Sequence, residues 1–225
     1  MACALRLLCR ILHDYPRAFD LVVADGLYLR APFVRFILLK RGKDAVIVLK
    51  DERRDLLQDA QGIFRAESAT VETKGLILRR ICDVEGLTSW TTLDVPIRVV
   101  RSLETRTVLR QRTGTPETIT SDWIWATTLS KERASARTVV QAGHDRWLIE
   151  NQGFREMTMF WHADHVYRHD PDAITAFLLT LLLALNLFRA FVHLNIKPCL
   201  RVRHSQLYFA RQLTAALLTE PIAPP

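Results

Sequence analysis

The sequence predicts an α/β fold, and three observations carry the prediction. Phe19-Asp20-Leu21-Val22-Val23-Ala24-Asp25 is a short apolar, β-branched run that ends on an acid. Ala45-Val46-Ile47-Val48-Leu49-Lys50 is a second such run, and both read as buried strands of a parallel sheet. Residues 30–41 between them read as a helix, with Pro32 suited to its first turn and Gly42 to its stop. Strand, helix and strand within about 30 residues make a βαβ unit.

The chain has 225 residues and is 49% apolar, enough for one domain, or one domain with an insert, around a sizeable core. Its formal charge is +7, which points to an anionic partner such as nucleic acid or a membrane surface. The four cysteines form no C-x-x-C pair, which argues against zinc and for a reduced, cytosolic setting. At the N-terminus, Leu5, Leu8, Leu12 and Tyr15 repeat at helical spacing. Arg6 and Arg10 interrupt the run, so the segment reads as an amphipathic core helix and not as a targeting signal.

Asp25 falls at the carboxyl end of its strand, where open α/β sheets bind ligands. A carboxylate there can hold a divalent metal, or it can merely cap the turn that Gly26 opens. Residues 51–64 follow as a charged surface helix with Leu56, Leu57 and Ile63 turned inward.

From about 68 to 129 the chain becomes rich in Thr, Val, Ile and Arg. The clearest runs are Leu76–Ile81, Ile97–Leu103 and Trp123–Thr128, a β-rich insert. Its arginines are Arg79, Arg80, Arg98, Arg101, Arg106, Arg110 and Arg112. They either track a phosphate backbone or sit on solvated strand faces.

Segment 134–160 reads as one helix. Arg146, Glu150 and Phe154 are spaced i, i+4, i+8 and would share a face, with Trp147, Leu148 and Phe160 anchoring the others in a core. The arginine can steer the glutamate or grip an anion beside it; the alternative is an ordinary surface ion pair. His165 and His169 have a zinc-compatible spacing, but capping or hydrogen bonding is the plainer account. Residues 173–188 are the most apolar stretch. A membrane span needs about 20 apolar residues. The run falls short of that, so a helix buried in the core is expected, with a small membrane protein as the competing reading. Another amphipathic helix is expected near 205–218, ahead of a frayed, Pro-containing end.

These residues together resemble a DDE transposase of the insertion-sequence class, whose third catalytic motif reads Y-x2-R-x3-E-x6-K. Arg146 and Glu150 keep that spacing, and Trp147 through Phe154 have the typical context. Val23-Ala24-Asp25-Gly26-Leu27-Tyr28 resembles the second catalytic motif, and Trp161 to Pro171 with the apolar helix after it also fits. The motif's tyrosine position falls on Gly143 and its lysine position on Met157, with Arg155 as a partial substitute.

The resemblance implies an RNase H-like core, a mixed sheet flanked by helices, with a β-rich insert and C-terminal helices. The expected division is 1–67, 68–129 and 130–225. The resemblance also implies DNA strand cleavage and transfer on Mg²⁺, or Mn²⁺ in its place, held by Asp25 and Glu150. Arg146, Arg155, Arg98 and Arg101 are the expected DNA contacts. The implied partners are transposon-end and target DNA, with a homodimer possible and no membrane, in a prokaryotic cytoplasm near the nucleoid. No strand-borne acid precedes Phe19. A truncated copy lacking the first aspartate and an upstream DNA-binding domain is therefore expected, and an inactive DNA-binding remnant is the alternative.

Overall fold

A computed structural model describes residues 1–50, 54–110, 114–165 and 168–219. They fall into two compact units, Met1–Trp147 and Leu148–Pro225.

The first unit holds α1 (Ala2–Asp14), β1 (Leu21–Ala24), α2 (Ala31–Arg35) with a π-helical continuation Phe36–Lys40, and β2 (Asp44–Val48). It continues with α3 (Arg54–Ala66), β3 (Thr70–Lys74), β4 (Ile77–Leu87), β5 (Ile97–Leu109), β6 (Pro116–Thr127) and α4 (Ala136–Leu148). One mixed sheet runs in the order β1-β2-β6-β5-β4-β3. The pair β1 and β2 is parallel, as the βαβ reading expects, and β2 then pairs antiparallel with β6. The β-rich segment thus extends the sheet that the first strands begin.

Alternation along β2 explains its complete burial. Ala45 and Ile47 enter a core beneath α1, α2 and α3, while Val46 and Val48 enter a second core with Val139 and Val140 of α4. Strand β1 was expected to be buried, but it is half-buried, because it is an outer strand of the sheet. Gly42 takes φ +60 and its N–H donates to the carbonyl of Leu38, ending the helix where expected. Leu56 is buried and Leu57 and Ile63 pack against the same core. Of the N-terminal positions, Leu5, Leu8 and Leu12 turn inward, whereas Tyr15 lies past the helix end and is exposed.

The best-connected buried side chain is Arg98, 2% exposed. Its Nε and Nη2 each donate to Asp83 at 2.8 Å. Its Nη1 donates to the carbonyls of Leu129, Ser130 and Ala134, at 3.2, 3.0 and 2.7 Å. One guanidinium therefore fastens β4 and β5 to the loop that launches α4. A parallel clasp joins β2 to the end of β6. Thr127 Oγ1 donates to the carbonyl of Ala45, Ala45 N–H donates to Thr128 Oγ1, and Thr128 Oγ1 donates to Asp44.

The second unit holds a π-helical segment Ile149–Phe154, α5 (Arg155–Trp161), α6 (Pro171–Asn195), α7 (Pro198–Arg203) and α8 (Gln206–Thr219). Its core is small: Phe188, Val192 and Phe209, with Trp161, Ile196 and Leu213 against them. Asp170 caps α6 by accepting from Ala173 N–H.

The expectation for 173–188 is overturned. The helix runs to Asn195, 25 residues, long and apolar enough to cross a membrane, and most of it is not buried. The apolar run stops near Phe188, but Arg189 and His193 continue the helix because neither breaks it. Leu179, Leu183 and Leu187 are exposed. Arg189 is half-buried in an ion pair with Glu156 of α5. An ion pair and Asn186 within the span would be costly in lipid. The chain is therefore expected in the soluble fraction without detergent, and a detergent requirement in fractionation would contradict this.

Arg98→Met should leave the half-buried Asp83 without its partner and remove one bond from each of three carbonyls. A loss of about 3–5 kcal/mol is expected in urea unfolding. Asp83→Leu in the same background should recover part of it, because the unpaired charge goes too.

Candidate active site

Strand β1 ends at Ala24, and Asp25 follows in extended conformation. Its Oδ1 accepts the Gly26 N–H at 2.7 Å, and its backbone carbonyl accepts from Tyr28. Lys50, just beyond β2, places Nζ 3.8 Å from the same Oδ1. The carboxylate is 36% exposed. Both readings of Asp25 are thus visible: it caps the following turn, and it stands at the carboxyl end of a parallel strand. Gly26 suits this approach, since a Cβ there would stand 3.2 Å from the Val48 carbonyl, a tight contact.

Helix α4 delivers Arg146. Its guanidinium lies over the Trp147 ring, 4.6 Å from the centroid. Trp147 meets Trp123 edge-on at 6.2 Å, and Trp123 stacks on Trp125. Trp123 and Trp125 project from the same face of β6, two residues apart. A Cβ on Gly143 would overlap the Trp125 indole. The Trp125 ring therefore fills the space beside this turn of α4, and only glycine fits against it. Next to it, His144 Nε2 lies 2.8 Å from Glu104 Oε1 and edge-on to both indoles.

Sequence reasoning missed what His144 belongs to. Glu104 also accepts from Ser102 Oγ at 3.0 Å, and Arg79 stands in an ion pair with it, Nε 3.0 Å from Oε1. Arg79 reaches Glu72 at 3.8 Å, and Glu72 accepts from Arg137 Nε at 2.7 Å. Charges of alternating sign thus run from Arg137 of α4 across β3, β4 and β5 to Glu104, which His144 of α4 meets. The pairing needs the strand register, in which Arg79 faces Glu104 and Glu72, and that register was not legible beforehand. Beside this chain lies a cleft of about 420 Å³ lined by Arg79, Arg106, Trp123, His144 and Trp147 among others. Indole faces and guanidinium groups suit the flat rings and phosphates of a nucleic-acid strand.

Glu150 lies in the π-helical segment and is exposed. The face-sharing expected of Arg146, Glu150 and Phe154 presumes α-helical turns. Between Glu150 and Phe154 the turns are π-helical and not α-helical. Trp147, Leu148 and Phe160 were expected in a core, yet they are 37%, 47% and 50% exposed. Arg155 is exposed, with Nε on Met159 Sδ at 3.4 Å.

The expected basic stripe divides. Arg98 and Arg101 are three residues apart on one strand and so face opposite sides of the sheet. Arg98 is buried on Asp83, as above. Arg101 makes two bonds to Asp122, at 2.8 and 2.6 Å, and this hydrogen bonding raises its pKa above the ordinary arginine value. Arg79 is buried on Glu104, and Arg110 pairs with Glu117. Arg80 and Arg106 have no acidic partner among the described residues, and Arg112 lies outside them. Among the described residues, no three His, Cys, Asp or Glu side chains form a group that could hold a metal.

A mixed sheet flanked by helices, with an acid at the end of its outer parallel strand and a β-rich extension leading into a long helix, is an RNase H-like α/β arrangement. The transposase DDE domain family matches residues 4–187, a span that includes both Asp25 and Glu150. The chain belongs to that family and is a transposase domain. No curated protein matches it.

Gly143→Ala should destabilise the domain by roughly 1–3 kcal/mol through overpacking, despite the better helix propensity of alanine. Trp125→Phe opens room at the ring, so the double variant should lose less than the two single losses added. Additive losses in a thermal-melt double-mutant cycle would refute the contact.

Proposed function

We propose that this transposase domain cleaves and joins DNA strands in a reaction that depends on a divalent metal, with Asp25 and Glu150 as its carboxylates. The observation that carries the reading is the family match, which spans both acids and the Arg-x3-Glu spacing. The placement of Asp25 beyond the carboxyl end of β1 supports it.

The donor chemistry fits Mg²⁺. Asp25 is partly exposed and Glu150 exposed, and both offer hard oxygen donors. Mg²⁺ is commonly held by one or two carboxylates, with water and substrate phosphates completing its shell. Bound there, it would supply Lewis-acid polarisation of the phosphodiester and a water of lowered pKa.

The chain's own residues do the rest. Lys50 balances the Asp25 charge, and with a cation held there it would be free to turn to a phosphate. Arg146 holds a phosphate oxygen with its planar guanidinium, its orientation fixed by the Trp147 face. Arg155 provides a second, more mobile cation. Arg101 serves DNA only by exchanging Asp122 for a phosphate, and we assign Arg98 a structural role. The β3–β6 segment is read as an insert within the core, and a cytoplasmic setting with DNA as partner follows from the reaction.

A second reading is a DNA-binding remnant without turnover. Nicking of supercoiled plasmid with Mg²⁺ or Mn²⁺ separates the two. Turnover lost on Glu150→Gln and on Asp25→Asn, with DNA affinity retained, is the expected result. Asn keeps the acceptor for Gly26 N–H, so folding is preserved. Salt-sensitive binding without nicking in the unaltered chain would leave only the remnant.

A further inference from the structure

We propose that α1 and the end of the α2 segment form an additional DNA-backbone site, built on Arg6, Arg10 and Arg41. Residues 1–43 hold eight of the 31 Lys and Arg residues but only three of the 24 acids. Most of the chain's excess charge is therefore concentrated at its start. The folded unit gathers part of it in one place: Arg6, Arg10, His13 and Arg41 line a single cleft of about 830 Å³.

These charges are not spent on carboxylates. Arg6 donates to Cys3 Sγ at 3.1 Å and Arg41 to Cys9 Sγ at 3.5 Å, and thiols leave a guanidinium's charge uncompensated. Among the described residues, the nearby acids are engaged elsewhere: Asp14 on His13 and Asp20 on Lys43. This contrasts with the sheet, where Arg79, Arg98, Arg101 and Arg110 each hold an acid. The guanidinium groups on α1 are one helical turn apart, a spacing that lets both address one strand of a duplex.

A basic amphipathic helix can also lie on a membrane, using its apolar face as the anchor. Here that face is already committed. Ala4, Leu5 and Leu8 pack against the core and Leu12 is buried. What remains outward is Arg6 and Arg10 with a single large apolar side chain, Leu7, too little to anchor the helix in lipid, and the partner that the charge fits is a phosphate backbone read without sequence preference. The cleft includes neither Asp25 nor Arg146, so it holds the duplex and takes no part in cutting it.

The inference rests on DNA being the substrate. Each phosphate contact contributes about 0.9 to the slope of log affinity against log salt. Anisotropy of a labelled random-sequence duplex is to be measured from about 50 to 200 mM salt, for the unaltered chain and for Arg6→Gln/Arg10→Gln/Arg41→Gln. The slope should flatten by about 2.7, so that the unaltered chain loses roughly 40-fold more affinity than the variant across the range. The corresponding Lys triple variant should keep most of the slope, and it stands in as a charge control should the Gln variant melt early. An unchanged slope in the folded Gln variant overturns the site while leaving the proposed function intact. Failure of the unaltered chain to bind duplex overturns the proposed function itself. Binding to anionic vesicles that the Gln variant loses, with an unchanged DNA slope, reassigns the patch to lipid and overturns the inference.

Discussion

The fold of the first unit depends on a buried guanidinium. Arg98 ties β4, through Asp83, to the three carbonyls of the loop before α4. Those carbonyls lie outside strand and helix; the Ser130 carbonyl also accepts the Arg133 and Ala134 N–H groups, and Arg98 adds a bond to each of the three. A lysine could not do this, since it lacks the fork that holds a carboxylate with one edge and carbonyls with the other. With the loop fixed, Val139 and Val140 seat on the sheet and Gly143 meets Trp125. The position of Arg146 on its helix follows from these contacts. A residue expected to bind DNA thus serves the helix that carries another residue expected to do so.

The parts of the fold that were legible are those set by local rules. Pro32 and Gly42 bracket a helix because one fixes φ and the other accepts φ +60. The runs around Val22 and Val46 read as strands because β-branched side chains suit a pleated surface. Their burial was less legible, because it depends on which strands stand at the margins, and β1 does. The burial of α6 was not legible, because an apolar run does not say what covers it, and most of this helix is not buried. The π-helical turns at 149–154 leave no periodic signature, since they alter the repeat over a single turn.

At the candidate site, Asp25 was legible because a strand's final residue needs only the strand to be found. The roles of the arginines were not. Parity along β5 separates Arg98 from Arg101, but which face each takes, and which acid waits there, needs the partner register. The Trp123-Ile124-Trp125 alternation could have shown that two indoles share a face. It could not have shown that α4 passes over them closely enough to exclude a Cβ at Gly143.

That contact gives Gly143 a physical reason. Any side chain projecting from this turn of α4 and the indole rising from β6 would compete for one volume. Here the sheet supplies the ring and the helix carries no side chain, so the aromatic surface at this turn comes from β6. The neighbouring His144 then stands edge-on to both rings and reaches Glu104. A helix turn without a side chain can thus receive its aromatic surface from the strand beneath it. For this chain the informative unit is the helix turn together with the strand it crosses, and Gly143 has meaning only when Trp125 is considered with it.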